Sequence, residues 1–170
     1  MSIDVFARWF IKYYLPPMIA NAMPVLVKGS TPIDRGALFI DGKPLLGSNK
    51  TWEGLLLGLL GAYLSGIALS VAFEDSAFLV MALGSGFAAL MGDLLGAFIK
   101  RRLGIKPGDP LVPLDQLDFA LSSTIFYYCL DVPEFVSNPG FVALALLLIL
   151  VLHITTNYAA YLIGLKQTKL

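Results

Sequence analysis

Three aspartates in this chain are spaced as if to meet. Asp93 stands inside a long apolar run, in "GDLLGAFIKRRLGIK", and Asp115 and Asp118 follow in "LDQLDF". Between them come Lys100, Arg101, Arg102 and Lys106. On a helix Asp93 and Lys100 share a face, about 10 Å apart along the axis. Asp115 and Asp118, at i and i+3, share another. An ionisable side chain within a membrane segment is costly and by default marks a functional site. No histidine or cysteine lies near in the sequence. Convergence of the three carboxylates therefore makes an all-oxygen site, suited to Mg²⁺ held by one or two carboxylates plus substrate phosphates. Lys50, Lys100, Arg101 and Arg102 would carry the phosphate charge. The structural alternative pairs Asp93 with Lys100 or Arg101 and leaves Arg101 and Arg102 to anionic lipid headgroups.

A second stretch, "LGSNKTWEG", adds Ser48, Asn49, Lys50 and Thr51. Its backbone N–H groups, the Thr51 hydroxyl and the Lys50 ammonium can face an anion at the start of a helix, whose N-terminus adds partial positive charge. The plainer reading is that Ser48 or Thr51 caps that helix and Glu53 supports its first turn.

The elements that must position these groups are membrane spans. The 170 residues are 57% hydrophobic and 14% charged, with a mean hydropathy of +0.77, too apolar for a soluble domain with its usual ~25% charged residues. Apolar stretches run from about Val5 to Val27, Leu55 to Phe73, Ala77 to Ile99 and Phe141 to Leu165. Each approaches or exceeds the roughly 18 residues a span needs. Phe119 to Leu130 is short, but extended back to Leu114 it brings Asp115 and Asp118 to its mouth. An all-α membrane protein of five transmembrane helices is expected, a single domain over residues 1–170 with loops at 28–52 and 100–114. Ala20-Asn21-Ala22 mimics a signal-peptide cleavage site, yet Arg8, Lys12, Pro16 and Pro17 interrupt the apolar region before it. An uncleaved, proline-bent first helix fits better. Small residues every fourth position, at Gly54, Gly58, Ala62 and Gly66 and at Gly84, Ala88, Gly92 and Gly96, predict close packing of the second and third helices on each other. Such stripes pack helices within a chain or between chains, so they set no oligomeric state. Gly92 and Gly96 flank Asp93 and would also leave room for a ligand. Cys129, the single cysteine, reads as a small apolar filler. His153 and Asn157, at i and i+4, read as interhelical hydrogen-bonding groups.

The net charge is zero, but its distribution is not even. Lys28, Arg35, Lys43 and Lys50 fall between the first two spans, Lys100, Arg101, Arg102 and Lys106 between the third and fourth, and Lys166 and Lys169 in the tail. The opposite connections hold Glu74, Asp75, Asp131 and Glu134 without Lys or Arg. Basic residues gather on the cytoplasmic side. The N-terminus is therefore expected outside, the C-terminus inside, and the site at the cytoplasmic face of a multi-pass cell-membrane protein. Intramembrane carboxylates also mark transport routes. A transporter would carry polar residues across the bilayer, whereas here they cluster at one side. No nucleic-acid partner is expected.

"SNKTWEG" followed by "GDLLGAFIKRRLGIKPGDPLVPLDQLDF" resembles the CTP-dependent cytidylyltransferases that activate phospholipid precursors. The phosphatidate enzymes carry a Pro-Gly-His-Gly-Gly run before the paired aspartates. This chain has Pro110-Leu111-Val112-Pro113 there and is shorter, as in the archaeal branch of the family. The resemblance implies transfer of CMP from CTP to the phosphate of an unsaturated dialkylglycerol phosphate, with pyrophosphate released. The diacyl substrate is the alternative. It further implies Mg²⁺ on Asp93, Asp115 and Asp118, and Lys50, Lys100 and Arg101 on the phosphates of CTP and the membrane lipid. Ser48, Asn49, Thr51, Arg102 and Pro113 follow as further CTP contacts.

Overall fold

The computed structural model describes residues 2–107 and 109–162. The described chain is helical: α1 (Ile3–Ala22), a 3-10 turn (Met23–Leu26), α2 (Trp52–Ala72), α3 (Ala77–Arg102), α4 (Leu114–Cys129), the single turn α5 (Pro133–Val136) and α6 (Pro139–Leu162). Among the described residues pairing of strand type is limited to two isolated bridges, Pro32 with Thr51 and Leu38 with Pro44. The expected end of the last span at Leu165, and the tail lysines Lys166 and Lys169, lie outside the described residues.

Among the described residues three helices are long and apolar enough to cross a membrane: Trp52–Ala72, Ala77–Arg102 and, within α6, Pro139–Ala159. Their apolar side chains point outward in quantity; Leu56, Leu64, Val71, Val80, Leu95 and Leu147 are all exposed. A protein in water buries such a surface, and a protein in lipid has no need to. Two of the five expected spans are less marked. α1 carries Asp4, Arg8 and Lys12, and the 16 residues of α4 reach about 24 Å, short of a ~30 Å hydrocarbon core.

α1 is more central than its sequence promises. It packs on α3 and α2, and more lightly on α4 and α6. Trp9, Tyr13 and Tyr14 are buried and join Tyr127 and Phe135 in an aromatic cluster, with Trp9 and Phe135 rings stacked at 5.1 Å. The Tyr14 hydroxyl shares a 2.7 Å hydrogen bond with that of Thr124.

The glycines work as expected in α2 but differently in α3. A Cβ at Gly58 would lie 2.7 Å from the Ala20 carbonyl and 2.8 Å from Leu90 Cδ2, and one at Gly86 2.3 Å from Ala62 Cβ. These positions bring α1, α2 and α3 to backbone contact. The other α3 glycines face α4 instead. A Cβ at Gly84 would strike Phe126, one at Gly92 the Asp118 carbonyl at 2.5 Å, and one at Gly96 Asp118 Oδ2 at 2.5 Å. The expectation that both stripes serve one α2–α3 contact is therefore corrected: a 26-residue helix reaches far enough to serve different neighbours along its length. The filler role given to Cys129 is corrected too, because it is exposed at the last residue of α4.

At the end of the bundle where α2 turns into α3, Lys12 bonds both Glu134 oxygens at 3.0 and 2.9 Å and sits 5.2 Å from the Phe73 ring centre. The pair is part-exposed, so ion pairing and cation–π attraction together contribute about 1 kcal/mol. Lys12→Ala is expected to lower the unfolding temperature in detergent by about 2–4 °C, read by intrinsic fluorescence.

Candidate active site

The two basic loops meet at the other end of the bundle. Lys43 Nζ bonds the Arg102 carbonyl at 2.7 Å, and a Cβ on Gly47, where φ is +116°, would touch Pro107. Asp34 fixes the first loop by accepting N–H bonds from Leu46 at 2.9 Å and Gly47 at 3.1 Å. Burial opposes ionisation there, but the N–H groups of Gly47, Gly36 and Leu46 outweigh it and hold the carboxyl below its ordinary range. The stabilisation is thus present above the usual carboxylate pKa and is lost as pH falls through the lowered folded value.

Lys50 is aimed by this loop. Ile33 N–H bonds the Lys50 carbonyl at 2.8 Å, and Trp52 N–H bonds that of Thr31 at 3.0 Å. Thr51 caps α2, accepting from Gly54 N–H at 3.3 Å. Glu53 does not close a capping box. Its carboxylate accepts from the backbone N–H and hydroxyl of both Ser30 and Thr31, at 2.9–3.3 Å. The Lys50 ammonium then reaches across to α3 and bonds both oxygens of Asp93, at 2.7 and 2.6 Å.

Lys100 takes the next carboxylate, Asp115 Oδ2, at 2.6 Å, and the same oxygen accepts from Leu111 N–H at 2.9 Å. Asp118 is seated in the notch left by Gly92 and Gly96 and is 8% exposed. Among the described residues its side chain has one hydrogen bond, accepted from Phe119 N–H at 2.6 Å. Arg101 is 5% exposed, and among the described residues its Nε and Nη1 have no hydrogen-bond partner. Burying a cation without hydrogen-bond partners is expensive, so an anion in this cavity would relieve a cost that the protein alone leaves standing.

Asp93, Asp115, Asp118, Lys50, Lys100, Arg101 and Asn49 thus line one cavity of about 190 Å³. The structure brings together all three carboxylates, but not as a ready-made cage. Among the described residues no three acidic, imidazole or thiol groups form a metal-ligand cluster, and Asp93 and Asp115 are each paired with a lysine. The pairing differs from the alternative weighed on sequence: Asp93 pairs with Lys50 from another loop, not with Lys100 or Arg101. The donor set still fits Mg²⁺, which asks for one or two carboxylates and completes its shell with phosphate oxygens and water.

Arg102 is not in the cavity. It bonds Asp41 at 2.7 Å and the carbonyls of Lys43 and Pro44, with its guanidinium 4.7 and 4.8 Å from the Phe39 and Phe98 ring centres. One helix position, about 100° of rotation, separates it from Arg101. Its expected CTP contact gives way to stapling the first loop onto α3. Pro113 sits before α4 as its N-cap residue, outside both cavities at this end. Ser48 and Thr51, with Asn49, Lys50 and Asp93, line a second cavity of about 260 Å³. No local signal in the sequence marks its other walls, Pro24 and Val27 after α1 and Leu55, Leu90 and Leu94 on α2 and α3. Lys28, which the sequence marks only by its charge, lines the same cavity.

Residues 3–170 match the CarS-like family of CDP-archaeol synthases. The chain belongs to the CDP-archaeol synthase family. Among curated members, the CDP-archaeol synthase of Staphylothermus marinus is 52% identical over 164 residues, covering 96% of this chain and 93% of its own. That of Aeropyrum pernix is 40% identical over 153 residues, covering 90% and 86%. The fold agrees: a solved structure of an intramembrane enzyme for archaeal membrane lipid biosynthesis superposes with a TM-score of 0.80 at 37% identity. It covers 89% of this chain and 94% of that one.

Proposed function

We propose that this chain transfers CMP from CTP to the phosphate of 2,3-bis-O-geranylgeranylglycerol 1-phosphate, giving CDP-archaeol and pyrophosphate. The observation that carries the reading is the cavity holding the buried Arg101 guanidinium, whose Nε and Nη1 lack partners among the described residues, beside the buried Asp118 carboxylate. A lone anion would satisfy the first and a lone cation the second; a metal-bound triphosphate satisfies both.

One oxygen of the lipid phosphate attacks the α-phosphorus of CTP. A new P–O bond forms, the bridging bond to the β-phosphate breaks, and pyrophosphate leaves with its electron pair. The attacking phosphate is already ionised near neutral pH, so no general base is needed, and catalysis is positioning and charge stabilisation. Lys50, Lys100 and Arg101 neutralise phosphate oxygens. Asp93 and Asp115 hold the two lysine ammonium groups in register. Asp93, Asp115 and Asp118 would hold Mg²⁺, which supplies Lewis-acid polarisation of the phosphates when bound.

Five spans, with the N-terminus outside and this site on the cytoplasmic side of the cell membrane, fit the placement of charge. Lys28, Lys43, Lys50, Lys100, Arg101 and Arg102 lie at the cavity end, and Asp75 and Glu134 lie at the other with Lys12 beside them. CTP arrives from water there while the lipid chains stay in the bilayer.

Purified protein in mixed micelles, offered labelled CTP with both the ether-linked and the diacyl lipid phosphate, is expected to label the ether lipid. Activity disappears with EDTA and returns with Mg²⁺. With Mg²⁺ present CTP raises the unfolding temperature and ATP does not. Label in the diacyl product alone, or transfer indifferent to EDTA, overturns the reading.

A further inference from the structure

The first loop carries a hairpin turn whose apolar tip is left uncovered. Phe39 N–H bonds the Lys43 carbonyl at 2.8 Å, and Gly42 N–H closes the turn on the Phe39 carbonyl at 2.9 Å. Gly42 has a φ of +73°, a turn conformation that glycine takes without strain. Leu38 is 65% and Ile40 93% exposed. Phe39, between them, turns onto α3 with its ring centre 5.2 Å from that of Phe98. Alternate residues of an extended segment point to opposite sides, so the contact of Phe39 leaves Leu38 and Ile40 facing away from the protein.

The position of the hairpin selects what covers the tip. Lys43 bonds the Arg102 carbonyl at the end of α3, and Arg102 bonds Asp41. Phe39 meets Phe98, which lies one helical turn, about 6 Å, further back. The hairpin therefore folds back along α3 toward its apolar part. Phe98 and Arg102 adjoin Leu95 and Ile99 at i,i+3 spacing, and Leu95, Ile99 and Leu103 form an exposed stripe. On a helix long and apolar enough to cross a membrane, such a stripe faces lipid, and the tip continues it. Arg35, three residues before Leu38, and Lys106, three after Leu103, are exposed. Among the described residues neither has an ion-pair partner, whereas Arg102 has Asp41.

We propose that this hairpin is an interfacial anchor: Leu38 and Ile40 enter the lipid leaflet at the cavity end, with Arg35 and Lys106 on the phosphates of anionic lipids. Basic flanks repel a second copy of the same tip and attract an anionic surface, and the apolar side chains partition into the headgroup boundary. The same loop carries Lys50, so the anchor holds one wall of the cavity at the membrane surface. It requires α3 to cross the membrane and is independent of the chemistry in the cavity.

Ile40→Cys, combined with Cys129→Ser to leave one thiol, is labelled with an environment-sensitive fluorophore in lipid nanodiscs, whose two faces are both open to water. A nitroxide placed shallowly on the lipid chains is expected to quench the label, and aqueous iodide to spare it. Raising anionic lipid from none to about 30 mol% should deepen the lipid quenching about twofold. Arg35→Gln with Lys106→Gln should abolish that dependence. Hydrogen exchange on the unaltered protein needs no variant to fold: the amides of residues 38–42 are expected to exchange more slowly in anionic than in neutral nanodiscs. Quenching by iodide alone, lipid quenching or exchange indifferent to anionic content, or shielding from both quenchers with dimers in sedimentation overturns the anchor.

Discussion

Asp118→Asn is expected to lower CMP transfer by about 10³-fold or more while the protein still inserts and folds. The carboxylate is 8% exposed, pressed into the notch that Gly92 and Gly96 leave in α3, and faces the cavity where Lys50 and Lys100 are already committed to Asp93 and Asp115. Asparagine keeps its volume and can still accept the Phe119 N–H bond, so the helix contact survives. What disappears is the negative charge, and with it the counterpart for a cation on the CTP phosphates. Removing a buried charge without a cationic partner relieves a desolvation cost, so the ligand-free variant should melt at the same temperature or higher. The stabilisation by CTP with Mg²⁺ should vanish. Asp93→Asn should lose turnover to a similar extent, since it also releases Lys50. Near-normal transfer by either variant would sink the assignment of these carboxylates.

Arg101→Met should move activity and stability in opposite directions. Methionine fills the stem of the buried side chain without a guanidinium whose Nε and Nη1 lack partners. The ligand-free protein gains stability, while kcat/KM for CTP falls about 10²-fold or more, the scale of a lost preorganised donor. Arg101→Lys keeps the charge but not the planar fork, so it recovers part of the activity and little of the bidentate geometry. The checks are a thermal melt without ligand and initial rates at varied CTP. A variant that melts lower and turns over normally would make Arg101 a structural cation.

The contrast between Arg101 and Arg102 shows how far residue type carries. Both are basic, adjacent and at the end of an apolar helix, and sequence assigns both to phosphate. The fold sends one into the cavity and the other between Phe39, Phe98 and the first loop. α1 is a similar case. Its charged residues and prolines make it the least legible span. Yet it packs on both α2 and α3, and the turn after it contributes Pro24 and Val27 to the larger cavity. Aromatic residues such as Trp9, Tyr13 and Tyr14 carry no period that says whether they face lipid, interface or core.

Legible in the sequence alone are the helices α2, α3 and α6, the gathering of most basic residues at one end, and Lys50, Asp93, Lys100, Arg101, Asp115 and Asp118 as charged groups of one cavity, with Arg102 wrongly among them. Long apolar runs and ionisable groups set inside them are local signals, and each has one economical physical reading. Three-dimensional packing alone reveals which carboxylate each lysine holds, that Gly96 makes room for Asp118, and that two cavities meet at the Lys50–Asp93 pair. Those outcomes depend on helix rotation and on loops crossing between elements, and a rotation of about 100° between neighbouring residues is enough to exchange a ligand contact for a structural one.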